Sequence, residues 1–238
     1  MLPSIPRTQR SWFCEHLNKT LTIQAFHIGL QTILLQVAKD DTPAAHRADA
    51  LQQVVKECVM EDIDIKSIPN FVLEMIFIQA RMISVGESVE LFYNCTNKPD
   101  EGDECGGKVE VKVDLEQVVI KTYEDHKTDI DVGAGWKLRL RYPCLNVVED
   151  GSDNINAELL ISKFFDMVYN EESVCSREDY TEEQLAAWVG TLGANVQIDI
   201  MNKFFNSMPH IHYQADATCS KCGYVHDIKF KSINSLFR

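Results

Sequence analysis

The first residues that could do chemistry lie near the end of this 238-residue chain, in "TCSKCGYVHDIKF", Thr218 to Phe230. Cys219 and Cys222, with two residues between them, form either a redox couple or half of a metal site. A redox pair works at a helix N-terminus, where the dipole lowers the thiolate pKa. Here Tyr224, His226, Ile228 and Phe230 alternate with Val225, Asp227 and Lys229, which is strand spacing. Strand, CxxCG turn, strand is the pattern of a zinc knuckle, whose turn amides point at the thiolates.

Tetrahedral zinc needs two more ligands, and "YNCTNKPDEGDECGG" offers Cys95 and Cys105. They too end one strand and begin the next, and "CGG" echoes "CGY", although nine intervening residues exceed the usual knuckle spacing. Cys95, Cys105, Cys219 and Cys222 are therefore the expected zinc ligands. His226, His210 and His212 compete with them, and two metal-free hairpins with reduced thiols remain the alternative. Four thiolates would fill every position on zinc and leave none for water, so such a site is structural and does not hydrolyse.

No other constellation reads as an active site. "GAG" in "DVGAGWKL" lacks the third glycine and following helix of a dinucleotide fingerprint, and no P-loop, nucleophile elbow or HExxH occurs. Glu61, Asp62 and Asp64 read as solvated loop charges, and "HIH" is weak metal spacing. Cys14, Cys58, Cys144 and Cys175 stand singly, as buried thiols do.

The elements that must hold these residues follow from the hydrophobic period. "RSWFCEHLNKTLTIQAF" turns at Asn18–Lys19 and reads as a hairpin. "HIGLQTILLQVAKD", "TPAAHRADALQQVVKECVM" and "IPNFVLEMIFIQARMIS" carry apolar residues at helical spacing. Thr42 is the expected N-cap of the second, with Pro43 at its first position. In the third, Phe71, Met75, Ile78 and Met82 share a face. Gly86 permits a sharp exit to strand, and Arg81 is expected to pair with Glu74 or Glu87. "ESVELFYNC", "KVEVKVDL", "VVIKTYE", "KTDIDVG" and "WKLRLRYP" follow as strands. "NINAELLISKFFDMVYN", "TEEQLAAWVG" and "ANVQIDIMNKFFNSM" read as helices, the second capped by Thr181 and Gln184, before the strand "HIHYQADA". The fold class is α+β, antiparallel β-hairpins with helical blocks, with a zinc-ribbon-like element formed by two distant cysteine turns. The expected division is 1–145, with hairpin, three helices and first cysteine turn; 146–208, helical; and 209–238, a cysteine-knuckle hairpin packing on the first.

Composition narrows the function classes. A net charge of −13 argues against non-specific nucleic-acid binding, and no apolar run approaches a membrane span. The N-terminus lacks a secretory signal's apolar stretch. The eight cysteines, in a chain of this size without such a signal, read as reduced thiols or metal ligands. Acidity concentrates in "VEDGSDN" (148–154) and "NEESVCSREDYTEEQ" (170–184), either solvated loops and helix starts or a docking surface for a basic partner.

The order of these pieces resembles the T-even-type phage baseplate protein family. Its members open with "LP", a hairpin and a helix bearing "LL", then a helix ending in cysteine, here Cys58. A signature like "LPxxDxExLFxxxRxxSVGE" corresponds to "IPNFVLEMIFIQARMISVGE", Ile68 to Glu87, with Pro69, Glu74, Phe77, Arg81, Ser84, Gly86 and Glu87 in place. "FYNC", "DECGG", "VKVDL", "LRLRYP" and the C-terminal "MP…CxxCG" segment follow in the family's order. Val72 stands where the family often carries Asp. The resemblance implies a non-enzymatic subunit of the baseplate hub of a contractile tail, found in the virion and in host cytoplasm during assembly. Its partners would be other hub and tail proteins or symmetric copies of itself, with no nucleic acid and no membrane. The alternative is a zinc-ribbon nucleic-acid-binding or regulatory protein. Trp136, Trp188, Phe204, Phe205 and Phe237 read as core first and interface second.

Overall fold

The computed structural model describes residues 3, 5–37, 44–99, 102–144 and 156–233. They divide into two units, one of Met1–Ile65, Phe71–Lys121 and His210–Arg238, the other of Lys66–Asn70 and Thr122–Pro209. Thr42 and Pro43, the run 148–154 and Phe237 lie outside the described residues.

In the first unit, strands β1 (Gln9–Cys14) and β2 (Lys19–Gln24) pair antiparallel. Their link turns on Asn18, whose left-handed φ of 47° is one that asparagine tolerates. Helices α1 (Ile28–Val37) and α2 (Ala44–Cys58) follow, then α3 (Asn70–Val85). The last is apolar around most of its circumference, and a helix of that kind is buried. Phe71, Met75, Ile78 and Met82 are all inside, and so are Val72, Leu73, Ile76 and Phe77. The helix ends at Gly86, which adopts φ 115° and turns the chain into β3 (Ser88–Asn94). Arg81 departs from expectation. Its guanidinium donates to the Gly86 carbonyl at 3.2 Å rather than meeting Glu74 or Glu87. Glu74 instead accepts the Ile233 N–H at 3.4 Å. The arginine thus braces the helix exit, a short-range bond that its own turn offers first.

β3 pairs antiparallel with β4 (Lys108–Asp114), in which Val109, Val111 and Val113 point inward and Lys108, Glu110 and Lys112 outward. A second sheet has the order β11–β10–β5, from β5 (Val119–Lys121), β10 (His210–Thr218) and β11 (Val225–Phe230). Each of the hairpins β3–β4 and β10–β11 thus opens onto a cysteine turn.

The second unit is built on the antiparallel sheet β6 (Asp129–Gly133), β7 (Trp136–Leu140), β8 (Phe165–Tyr169), β9 (Val174–Ser176). The GAG turn joining β6 to β7 has positive φ at Gly133, Ala134 and Gly135. Helices α4 (Ala157–Phe164), α5 (Glu182–Val189) and α6 (Ala194–Ile200) complete it. Thr181 and Gln184 form the expected capping box on α5. The continuous helix expected through "NINAELLISKFFDMVYN" is corrected. α4 stops at Phe164, and residues 165–169 become β8, whose Val168 lies opposite Leu138 of β7. Tertiary pairing overrides an apolar spacing that also fits a helix. β9 was not legible either, and α6 continues as one π-helical turn, Met201–Phe205. The core joins Leu138, Leu140, Phe164, Phe165, Ile200 and Phe204. The mixed α+β class with antiparallel sheets holds. Among the described residues no helix is long and apolar enough to cross a membrane.

Candidate metal centre

Cys95 follows β3 directly, Cys105 sits three residues before β4, and Cys219 and Cys222 occupy the turn between β10 and β11. The register of the two hairpins brings all four sulfurs within 4.8 Å of one another. Across the pairs, Cys95 Sγ lies 3.7 Å from Cys222 Sγ, and Cys105 Sγ lies 3.9 Å from Cys219 Sγ. Disulfides would bring sulfurs to about 2 Å, and none forms. Zn–S bonds of about 2.3 Å in a tetrahedron place sulfurs about 3.8 Å apart. The observed separations match that edge.

Backbone hydrogen bonds fix each turn. The Cys95 N–H donates to Gly107 O at 2.7 Å, and Gly106 N–H returns to Cys95 O at 3.0 Å. In the second turn the Cys219 N–H donates to Tyr224 O at 2.9 Å and the Gly223 N–H to Cys219 O at 3.0 Å. Gly106 and Gly223, the glycines after Cys105 and Cys222, both adopt left-handed φ, 62° and 72°, a conformation glycine takes without steric cost. The turns also hold each other: Ser220 Oγ donates to Lys108 O at 3.1 Å, and Lys221 Nζ to Cys105 O at 2.7 Å.

This folding aims amide N–H groups at every sulfur, in each case including the one two residues on. Asn97 serves Cys95, Gly107 serves Cys105, Lys221 serves Cys219 and Tyr224 serves Cys222. The Lys221 N–H lies 3.4 Å from Cys219 Sγ. The Tyr224 N–H brings the Cys222 thiol down to about 6, and the Cys222 N–H lowers Cys219. Burial pushes Cys95 up to about 12. At Cys105 the Gly107 N–H favours the thiolate, but burial and the neighbouring thiols outweigh it, and the pKa rises. Two thiols lowered and two raised is what like charges in one small space produce. A divalent cation removes that conflict and lets all four ionise.

The donor set, sulfur separations and amide pattern fit a metal ion, and the four side chains can hold one. Gly107 completes the cradle, since a Cβ there would sit 2.7 Å from Cys219 Sγ and 3.3 Å from Cys105 Sγ. Of the competing histidines, His226 reaches the cluster, with Nε2 3.1 Å from Cys95 Sγ. Of the four cysteines it contacts Cys95 alone, and the group whose ligand atoms all lie within 4.8 Å of one another contains the four cysteines and not this histidine. The other two, His210 and His212, lie away on β10, paired with Lys121 and Val119. Sequence reasoning missed Gly107 and Asn97; the doubled glycine of "CGG" was the available signal.

The remaining candidates fall elsewhere. Both Glu61 carboxylate oxygens accept the Thr22 N–H, a structural bond between loop and β2. Cys14 and Cys58 are fully buried, while Cys144 and Cys175 are half-buried. Phe204 is wholly buried, and Trp136, Trp188 and Phe205 pack half-buried against its core.

Among known families, the one described as T4 bacteriophage base plate protein matches residues 5–238. The chain belongs to that family. No curated protein and no solved structure matches it.

Proposed function

We propose that this baseplate-family chain is a structural subunit of the central hub of a contractile tail. It works through contacts with other hub and tail proteins, in the virion and during assembly in the host cytoplasm. The unit carrying the cysteines is stabilised by one zinc ion on Cys95, Cys105, Cys219 and Cys222. The observation that supports the role most strongly is the family match across 5–238. The cysteine cluster adds a chemical reason. Four thiolates saturate the ion, so it would supply folding energy, not a reactive water. The chain's own residues do the rest: the amides of Asn97, Gly107, Lys221 and Tyr224 offset thiolate charge, and burial keeps water from Cys95, Cys105 and Cys219. A net charge of −13 speaks against the nucleic-acid-binding alternative.

The test has two arms. Protein purified without added zinc should return about one equivalent of zinc, lost when the four cysteines become serine. A phage lacking this chain, complemented with the wild-type chain, should form complete baseplates by electron microscopy. Complementation with the serine variant should leave the hub incomplete. Normal baseplates from a chain lacking residues 209–238, or zinc retained without the four cysteines, would overturn the reading.

A further inference from the structure

The second unit carries an apolar groove that the zinc site does not explain. Two depressions, of about 530 and 280 Å³, share the side chains of Val168, Cys175 and Trp188 and so run together along one face. Trp136 marks one end, Tyr180 the other. Trp188 is a large side chain left half-buried where a sealed core would enclose it, and Tyr180 is 44% exposed. Half-buried aromatic residues in an open depression are the usual anchors of protein interfaces.

The charge around this groove gives its occupant. Tyr180 and Gln184 alternate along the chain with carboxylates: Glu178, Asp179, Glu182 and Glu183 flank them, and Glu171 and Glu172 lie in the β8–β9 turn; all six are exposed. Arg177 is the one cation in the run 170–184. Its guanidinium is already committed to the Ser162 carbonyl at 2.6 Å and the Phe165 carbonyl at 3.4 Å. It also stands 4.0 Å from the Glu182 carboxylate, and the other five acidic residues still leave the segments that supply Cys175, Tyr180 and Gln184 to the groove strongly acidic. A second copy of this chain, itself at −13, would bring like charge to it.

We infer that the groove bounded by Trp136, Trp188 and Tyr180 docks a basic amphipathic segment of another protein. Apolar side chains would fill the depressions beside Trp188, while lysines or arginines face the carboxylates of 171–183. This deepens the assembly reading and rests on it, yet it fails separately, because a chain with an idle groove could still build baseplates through another face.

Three fluorescein-labelled dodecapeptides test it on the full-length, zinc-loaded chain by anisotropy: alternating leucine–lysine, alternating leucine–glutamate, and all-lysine. The leucine–lysine peptide should bind at least tenfold more tightly than either other. Its affinity should fall several-fold between 50 and 300 mM salt. Trp188→Ala should weaken it more than tenfold. The triple change Glu172→Gln, Glu178→Gln, Glu183→Gln, which leaves the core intact and should lower Tm by no more than a few degrees through the lost helix-start charges, should also weaken it about tenfold. Equal binding of leucine–lysine and leucine–glutamate peptides would reduce the groove to a sticky surface. Equal binding of the all-lysine peptide would make it mere charge. Wild-type affinity in the triple variant, or a dimer in sedimentation that Trp188→Ala dissociates, would overturn the proposal.

Discussion

Gly107 stands against Cys219 so closely that a methyl group on it would lie 2.7 Å from the sulfur and equally close to Lys221 Cβ. Neither neighbour is a free chain end: Cys219 is buried, and Lys221 is held by its bond to Cys105 O. Gly107→Ala must therefore push the two cysteine turns apart. We expect zinc affinity to fall by about 10–100-fold, the range seen when groups supporting a metal ligand are disturbed. Competition with a chromophoric chelator measures it. Gly102→Ala, whose Cβ among the described residues meets nothing nearer than the Pro99 carbonyl at 3.9 Å, is the control and should leave affinity unchanged.

His226 gives a second prediction, because its place beside Cys95 suits a hydrogen-bond donor to that sulfur. As an N–H donor it strengthens the Cys95 thiolate without occupying a position on the ion. With cobalt in place of zinc, His226→Ala should keep the absorption of a four-thiolate tetrahedral site while affinity drops about tenfold. A cobalt spectrum that shifts on this substitution would make the histidine a ligand and displace one of the four cysteines.

Glu74 sets a pH dependence. Burial on α3 pushes its carboxyl up to about 7, although it accepts the Ile233 N–H. The folded chain thus keeps a proton that the unfolded chain has released above about pH 4.3. Stability from this group is full below that pH and is lost as pH rises towards 7, then constant. Glu74→Gln removes the titration. The difference in unfolding free energy between variant and wild type should grow in the variant's favour from pH 5.5 to 8. Its size should be on the order of 2 kcal/mol, allowing for the water that still reaches the side chain. Urea unfolding with zinc in excess checks it, and a flat difference would show that Glu74 is already ionised when folded.

Much of this was legible because the signals were local. The alternation in "KVEVKVDL" names the inward valines of β4, and Thr181 with Gln184 names the start of α5. The four cysteines were legible as a set for the same reason: each turn announces itself by a cysteine followed by glycine or flanked by strand alternation. What failed depended on distant partners. "FFDMVYN" carries an apolar spacing that suits helix or strand, and only β7 on one side and β9 on the other decide for strand. Sequence proximity pairs Arg81 with a carboxylate, whereas the carbonyl of Gly86 comes within reach only once the chain turns there. The groove at Trp188 needed residues 136, 168 and 188 together, which no single stretch contains.

Val72 carries the last prediction. It is fully buried on α3, at the position where the signature that Ile68–Glu87 resembles has Asp. In this chain the site lies within a helix whose Phe71, Leu73, Ile76 and Phe77 are buried too, so a carboxylate there would be desolvated among apolar groups. Val72→Asp should cost more than about 3 kcal/mol at pH 8, since an unpaired buried charge is among the most expensive substitutions. Val72→Thr, which keeps the shape and adds only a hydroxyl, should cost about 1–3 kcal/mol. The Asp variant should recover part of its loss towards pH 5, because its raised pKa lets it protonate in the folded state while the unfolded carboxyl stays ionised. The Thr variant has no such proton to gain. Urea midpoints of both variants at pH 5 and pH 8 separate the cases. Because Glu74 moves both variants alike, the difference between them is what counts: an Asp variant whose gap to the Thr variant is the same at both pH values, and which stays within about 1 kcal/mol of wild type, would mean that this chain retains the carboxylate's partner, and that the valine merely leaves it unused.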